Sequence, residues 1–73
     1  GSYKMRLKKI IDTDTFEQYQ LNYKGKEYII DRSDSMYHSD KYHIYLKVGY
    51  KTYDAIGIAN SITKSDLKKY LDI

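Results

Sequence analysis

Apolar and polar residues alternate with a period of two along most of the chain, the pattern of strands that bury one face. Residues 3–8 place Tyr3, Met5 and Leu7 on one side and Lys4, Arg6 and Lys8 on the other. Ile10 and Ile11 extend this strand but break its phase, so a bulge or strand end is expected near Lys9. The run Asp12-Thr13-Asp14-Thr15 then reads as a turn. In residues 16–23, Tyr19, Leu21 and Tyr23 alternate with Gln18, Gln20 and Asn22. Lys24-Gly25 makes a two-residue connection, with the glycine supplying a positive φ. That loop pairs Tyr23 with Lys26, Leu21 with Tyr28 and Tyr19 with Ile30, collecting the apolar side chains of both strands on one face. A one-residue slip would turn Ile30 toward the glutamines, so the hydrophobic pattern selects this register.

Residues 31–41 are polar, rich in turn formers and without periodicity, and are expected to form a loop or a single helical turn. A second hairpin follows. Tyr42, Ile44, Leu46 and Val48 alternate with His43, Tyr45 and Lys47 before Gly49 opens a turn. A three-residue loop, Gly49-Tyr50-Lys51, is preferred because it pairs Ile44 with Ile56 and Tyr42 with Ile58. The opposite face of this hairpin then carries His43, Tyr45, Lys47, Tyr53 and Ala55. Near the end of the chain, Thr63 is a good helix N-cap, Asp66 complements the helix dipole, and Ile62 is placed to staple onto Leu67. So short a helix is marginal alone and must dock its Leu67, Tyr70 and Leu71 stripe on the sheet.

The reading is therefore an α+β domain, mostly β. It has strands at about 3–11, 16–23, 26–31, 42–48 and 52–58 and a helix at about 64–72. Hairpin connections imply antiparallel pairing, in either a curled sheet or a small barrel of SH3-like or OB-like architecture. A length of 73 residues allows one small domain over residues 3–73, with Gly1-Ser2 read as a tag remnant.

Composition narrows the chemistry. Without cysteine there is no disulfide scaffold, thiolate zinc site or thiol nucleophile, and the expected compartment is a reducing cytoplasm. No apolar run is long enough to span a membrane. The ten tyrosines against one phenylalanine, with abundant lysine, isoleucine and aspartate, match the codon usage of an AT-rich genome. A net charge of +3 is too weak and too scattered for a basic nucleic-acid footprint by itself. Asp31, Asp34, His38 and Asp40 form the richest polar cluster, but their spacing matches no metal loop, and such residues are ordinary turn material. Ser33, Ser35 and Ser39 lie near His38 in a segment with nothing to hold catalytic geometry. No enzyme, metal or cofactor is expected.

Three surfaces are candidates for binding. Lys4, Arg6 and Lys8 form a basic ladder that suits phosphates, although lysines also guard edge strands. His43, Tyr45, Lys47 and Tyr53, with Tyr50 and Lys51 at the hairpin tip, interleave aromatic and basic groups on one sheet face. The same face could instead receive the terminal helix, in which case those tyrosines are core. Met36 and Tyr37 form an apolar pair in the central loop, either an anchor for a partner or a lid over an open barrel end. The expected function is a small non-enzymatic inhibitor or adaptor that binds a host protein. Its composition fits a phage or mobile element of an AT-rich bacterium, and a role in host takeover or in countering defence fits the same description. The alternative is a small-barrel nucleic-acid binder using the Tyr/Lys face and the basic ladder. Neither a membrane nor a small-molecule substrate is expected.

Overall fold

The Lys24-Gly25 turn fixes the frame of the sheet. In the computed structural model, which describes residues 4–71, both residues have positive φ (52° and 75°). That is the backbone of the tight hairpin turn whose twist matches its flanking strands. It joins β2 (Phe16–Tyr23) to β3 (Lys26–Ser33) in the register that the apolar pattern selects: Tyr23 opposite Lys26, Leu21 opposite Tyr28, Tyr19 opposite Ile30. β1 (Arg6–Asp12) pairs with the outer side of β2, and its register shifts between Lys9 and Ile11, where the apolar phase breaks. The strand begins at Arg6 rather than at residue 3. Met5 still packs against the core, and Tyr3 lies outside the described residues.

β4 (Tyr42–Gly49) and β5 (Thr52–Ala59) complete a five-stranded antiparallel meander in the order β1-β2-β3-β4-β5. The sheet is open, with β1 and β5 as its two edges, so the barrel alternative does not hold. The second hairpin departs from the expected register at both ends. Gly49 pairs with Thr52 around a Tyr50-Lys51 turn, with Lys51 left-handed at φ 53°. A shift between Lys47 and Gly49 then brings Tyr45 opposite Ala55 and Lys47 opposite Tyr53, as expected. A second shift, between Ile44 and Tyr45, puts Gly57 opposite Ile44 and Ala59 opposite Tyr42. Ile56 packs against the core from the bulge, whereas Ile58 turns to the other face and is partly exposed. Val48, expected inward, lies at the irregular end of the ladder and is half exposed.

The reason for the second bulge lies in the helix. α1 (Lys64–Leu71) crosses the apolar face with Leu67 and Leu71 buried, and the Tyr70 ring lies directly on Gly57. A Cβ at Gly57 would come 2.2 Å from Tyr70 Cδ1, closer than any real contact. The bulge is what brings this hydrogen-only position under the ring. A count of apolar letters instead treats Gly57 as an outward spacer between two inward isoleucines. The helix start is held by Thr63, whose carbonyl accepts the Leu67 N–H, and by Ser61, whose hydroxyl donates to Asp66 at 2.6 Å. Two hydroxyls then tie the helix to the sheet: Tyr28 donates to the Leu71 carbonyl at 3.1 Å and Tyr70 to the Ile58 carbonyl at 2.7 Å.

The buried core consists of Tyr19, Leu21, Tyr23, Tyr28, Ile30, Ile44, Ala59, Leu67 and Leu71, all between the helix and one face of the sheet. The molecule is accordingly flat, 38 × 28 × 19 Å. No helix among the described residues is long and apolar enough to cross a membrane.

Candidate functional site

Because the helix takes the Tyr19/Leu21/Tyr28/Ile30/Ile44 face, the other face of the sheet has no layer over it among the described residues. The register lays its side chains out in three cross-strand rows. The first runs Arg6, Asn22, Glu27, Lys47, Tyr53, and its Glu27 and Lys47 form an ion pair at 3.8 Å. The second runs Lys8, Gln20, Ile29, Tyr45, Ala55. The third runs Ile11, Gln18, Asp31, His43, Ile58. Along β2, β3 and β4 the rows lie two residues apart, as the alternation that fills the core requires, and on β1 and β5 the bulges add one residue between the second and third.

At the middle of the face, Gln18, Ile29, Asp31, Tyr45 and Tyr53 line an open depression of about 470 Å³. Its chemistry is mixed: two phenol rings, an aliphatic floor, an amide and a carboxylate. Burial pushes the Asp31 carboxyl above its ordinary range, only partly opposed by the Gln18 amide and by His43. One oxygen of that carboxylate, Oδ1, is sealed from water without a hydrogen-bond partner, and so is Nε2 of His43, its register neighbour. The Tyr45 phenol is also pushed up, by burial first and then by Asp31.

Of the residues singled out from the sequence, His43, Tyr45, Lys47 and Tyr53 share this face, and Arg6 and Lys8 lie on the same face three strands away on β1. Lys4 is exposed just ahead of β1. Tyr50 and Lys51 do not join the depression. They stand at the β4–β5 tip, with Tyr50 84% exposed and the Lys51 ammonium 5.3 Å from its ring. Met36 and Tyr37 lie in the β3–β4 loop at the opposite end of the strands, some 25 Å off by strand rise. Met36 is partly buried, whereas Tyr37 is 80% exposed with its ring 4.0 Å from His38.

That loop is anchored on the helix side of the sheet. Arg32 pairs with Glu17 and with Asp34 and donates to the Ser39 carbonyl at 3.3 Å. Glu17 also accepts from the buried Tyr19 hydroxyl at 2.7 Å. The Tyr19 bond first, and then Arg32, hold the Glu17 carboxyl below its usual range. Burial and the same bond raise the Tyr19 phenol well above its usual value. Ser33 and Ser35 hydroxyls bond to each other at 2.9 Å. Among the described residues, no three His, Asp or Glu side chains converge as metal ligands, and Asp31 stands on the open strand face rather than in the loop with Asp34, His38 and Asp40.

Three lining residues, Gln18, Ile29 and Asp31, were not legible as a site. Gln18 reads as part of the polar half of an alternation, Ile29 is not singled out, and Asp31 groups with the loop residues Asp34, His38 and Asp40. Their signal is positional, since each is an open-face residue in the register that the first hairpin dictates. Against models of protein families, curated proteins and solved structures, the chain has no match.

Proposed function

We propose that the protein is a non-enzymatic binding module, of the inhibitor or adaptor kind, that holds a protein partner on the open face of its sheet. One observation carries this reading: the helix covers the opposite face, leaving Tyr45 and Tyr53 beside a depression with no layer of the described chain over it. Tyrosines bring large, rigid, amphipathic contact area at low entropic cost, and interface hot spots are enriched in them. The small size and AT-rich residue usage support the further reading that the partner is a host protein met by a phage or mobile-element product.

A second reading, nucleic-acid binding, draws on the placement of Arg6, Lys8 and Lys47 on the same face as the two tyrosines. Glu27, paired to Lys47 in the middle of that face, and Asp31 beside it weaken the attraction for phosphate. The immobilised protein, offered a lysate of its source cells, is expected to retain a discrete protein. Lys68→Ala on the exposed helix side should keep that retention, and a folded Tyr45→Ala/Tyr53→Ala variant should lose about tenfold or more of it. Retention indifferent to both tyrosines overturns the reading. Oligonucleotide binding that weakens steeply with salt replaces it with the second one.

A further inference from the structure

The depression holds a carboxylate that its neighbours compensate only in part. Asp31 lines it, one carboxylate oxygen is closed off from water without a hydrogen-bond partner, and Nε2 of His43, its register partner on β4, is likewise without one. Lys47, in the first row, is engaged with Glu27 at 3.8 Å. Lys8 shares the row of Tyr45 but sits three strand spacings away, about 14 Å. Only the Gln18 amide and the His43 imidazole offset this half-buried carboxylate, so it gains when a full cation docks against its accessible side. The walls suit the same guest, since Tyr45 and Tyr53 present phenol rings, which attract ammonium and guanidinium groups over their faces. Ile29 gives an aliphatic floor for the methylene stem of a long basic side chain.

We propose that the Asp31 depression is a receptor for a cationic side chain, so that the protein partner anchors on the open face by inserting an arginine or lysine between Tyr45 and Tyr53. The proposal rests on the protein-binding reading for its partner, but the pocket's preference for a cation is a property of this chain alone.

Nα-acetyl-arginine methylamide and its neutral near-isostere Nα-acetyl-citrulline methylamide, titrated separately into the full chain and followed by two-dimensional NMR, test it directly. The arginine compound is expected to shift the resonances of Ile29, Asp31, Tyr45 and Tyr53 saturably in the millimolar range. The citrulline compound is expected to bind about tenfold more weakly, the loss of one charge-assisted contact. Asp31→Asn, which keeps the shape and removes the charge, should erase that difference. If Asp31→Asn does not fold, Tyr53→Ala at the exposed wall should weaken the arginine compound severalfold instead. Equal affinity for the two compounds, shifts centred elsewhere, or a preference that survives Asp31→Asn overturns the proposal. These outcomes do not depend on any captured protein. A pocket that fails here leaves the tyrosine-dependent retention standing, and a pocket that succeeds while retention ignores the tyrosines removes the protein partner and keeps the cation site.

Discussion

At the scale of single residues, the tyrosines and two carboxylates explain most of what is unusual about this chain. Tyrosine replaces phenylalanine in the core because the domain is thin enough for a ring to be buried while its hydroxyl still reaches a partner. Tyr19 donates to Glu17, Tyr28 to the last helical carbonyl and Tyr70 to the Ile58 carbonyl. Glu17 and Asp31, on adjacent strands, are then shifted in opposite directions. Hydrogen bonds from Tyr19 and Arg32 lower the Glu17 carboxyl, so its contribution is present above the unfolded value near 4.5 and disappears as pH falls through the lower folded value. Burial raises Asp31, so the folded state holds its proton more tightly than the unfolded chain does. Its contribution is complete below about 3.8 and is lost as pH rises through the folded value. Urea unfolding at two pH values separates them. Glu17→Gln is expected to destabilise at pH 7 and to approach wild type at pH 3. Asp31→Asn is expected to stabilise at pH 7 and to converge with wild type at pH 3. An Asp31→Asn protein weaker than wild type at pH 7 would mean that the carboxylate is satisfied in the fold, and the cation site would lose its premise.

At the scale of elements, the contact between α1 and β5 decides the register of the second hairpin. Gly57→Ala places a methyl group inside the Tyr70 ring position, so the helix must lift or the bulge must move. A loss of about 2 kcal/mol is expected in chemical denaturation. The same Gly57→Ala change made in a Tyr70→Ala background should cost far less, because the clash partner is gone. Equal costs in both backgrounds would place the helix elsewhere on the sheet. The same contact marks where reading the sequence stops working. The first hairpin was legible to the residue, because Lys24-Gly25 and the alternation around it agree. The Ile10 bulge was legible as a broken phase, and the helix as a cap followed by an apolar stripe. The Ile56 bulge was not, because its cause is a tertiary approach between Gly57 and a ring thirteen positions later. Local alternation assigns Ile56 and Ile58 to one face, whereas the helix requires Gly57 there. The site followed the same division. Tyr45, Lys47 and Tyr53 could be grouped from the second hairpin alone, but adding Gln18, Ile29 and Asp31 needs the β3–β4 pairing, which no short turn announces.

At the scale of the whole molecule, the architecture is one sheet with a helix on one side, and binding on the other side requires that side to be free. Its edges are treated unequally. β1 carries Arg6, Lys8, Lys9 and a bulge, all features that discourage pairing with another chain, whereas β5 carries no basic residue and has Tyr70 bonded to its Ile58 carbonyl. Neither edge reaches around to shield the open face. Neighbouring residues on β3 turn this layering into a measurement, because Ile29 and Ile30 point to opposite sides of the same strand. Ile30 is fully buried beneath the helix, and Ile30→Ala is expected to cost about 3 kcal/mol by the usual cavity penalty. A chain of this length has about 4–11 kcal/mol of stability in all, so that variant should be close to unfolding in mild denaturant. Ile29 is only partly buried on the open face, and Ile29→Ala is expected to cost about 1 kcal/mol or less. Both values should be independent of protein concentration. If Ile29→Ala costs as much as Ile30→Ala, and the cost grows with concentration, then the open face is covered by a second copy of the chain in solution. The surface assigned to a foreign partner would then belong to a homodimer, and its tyrosines would be core after all.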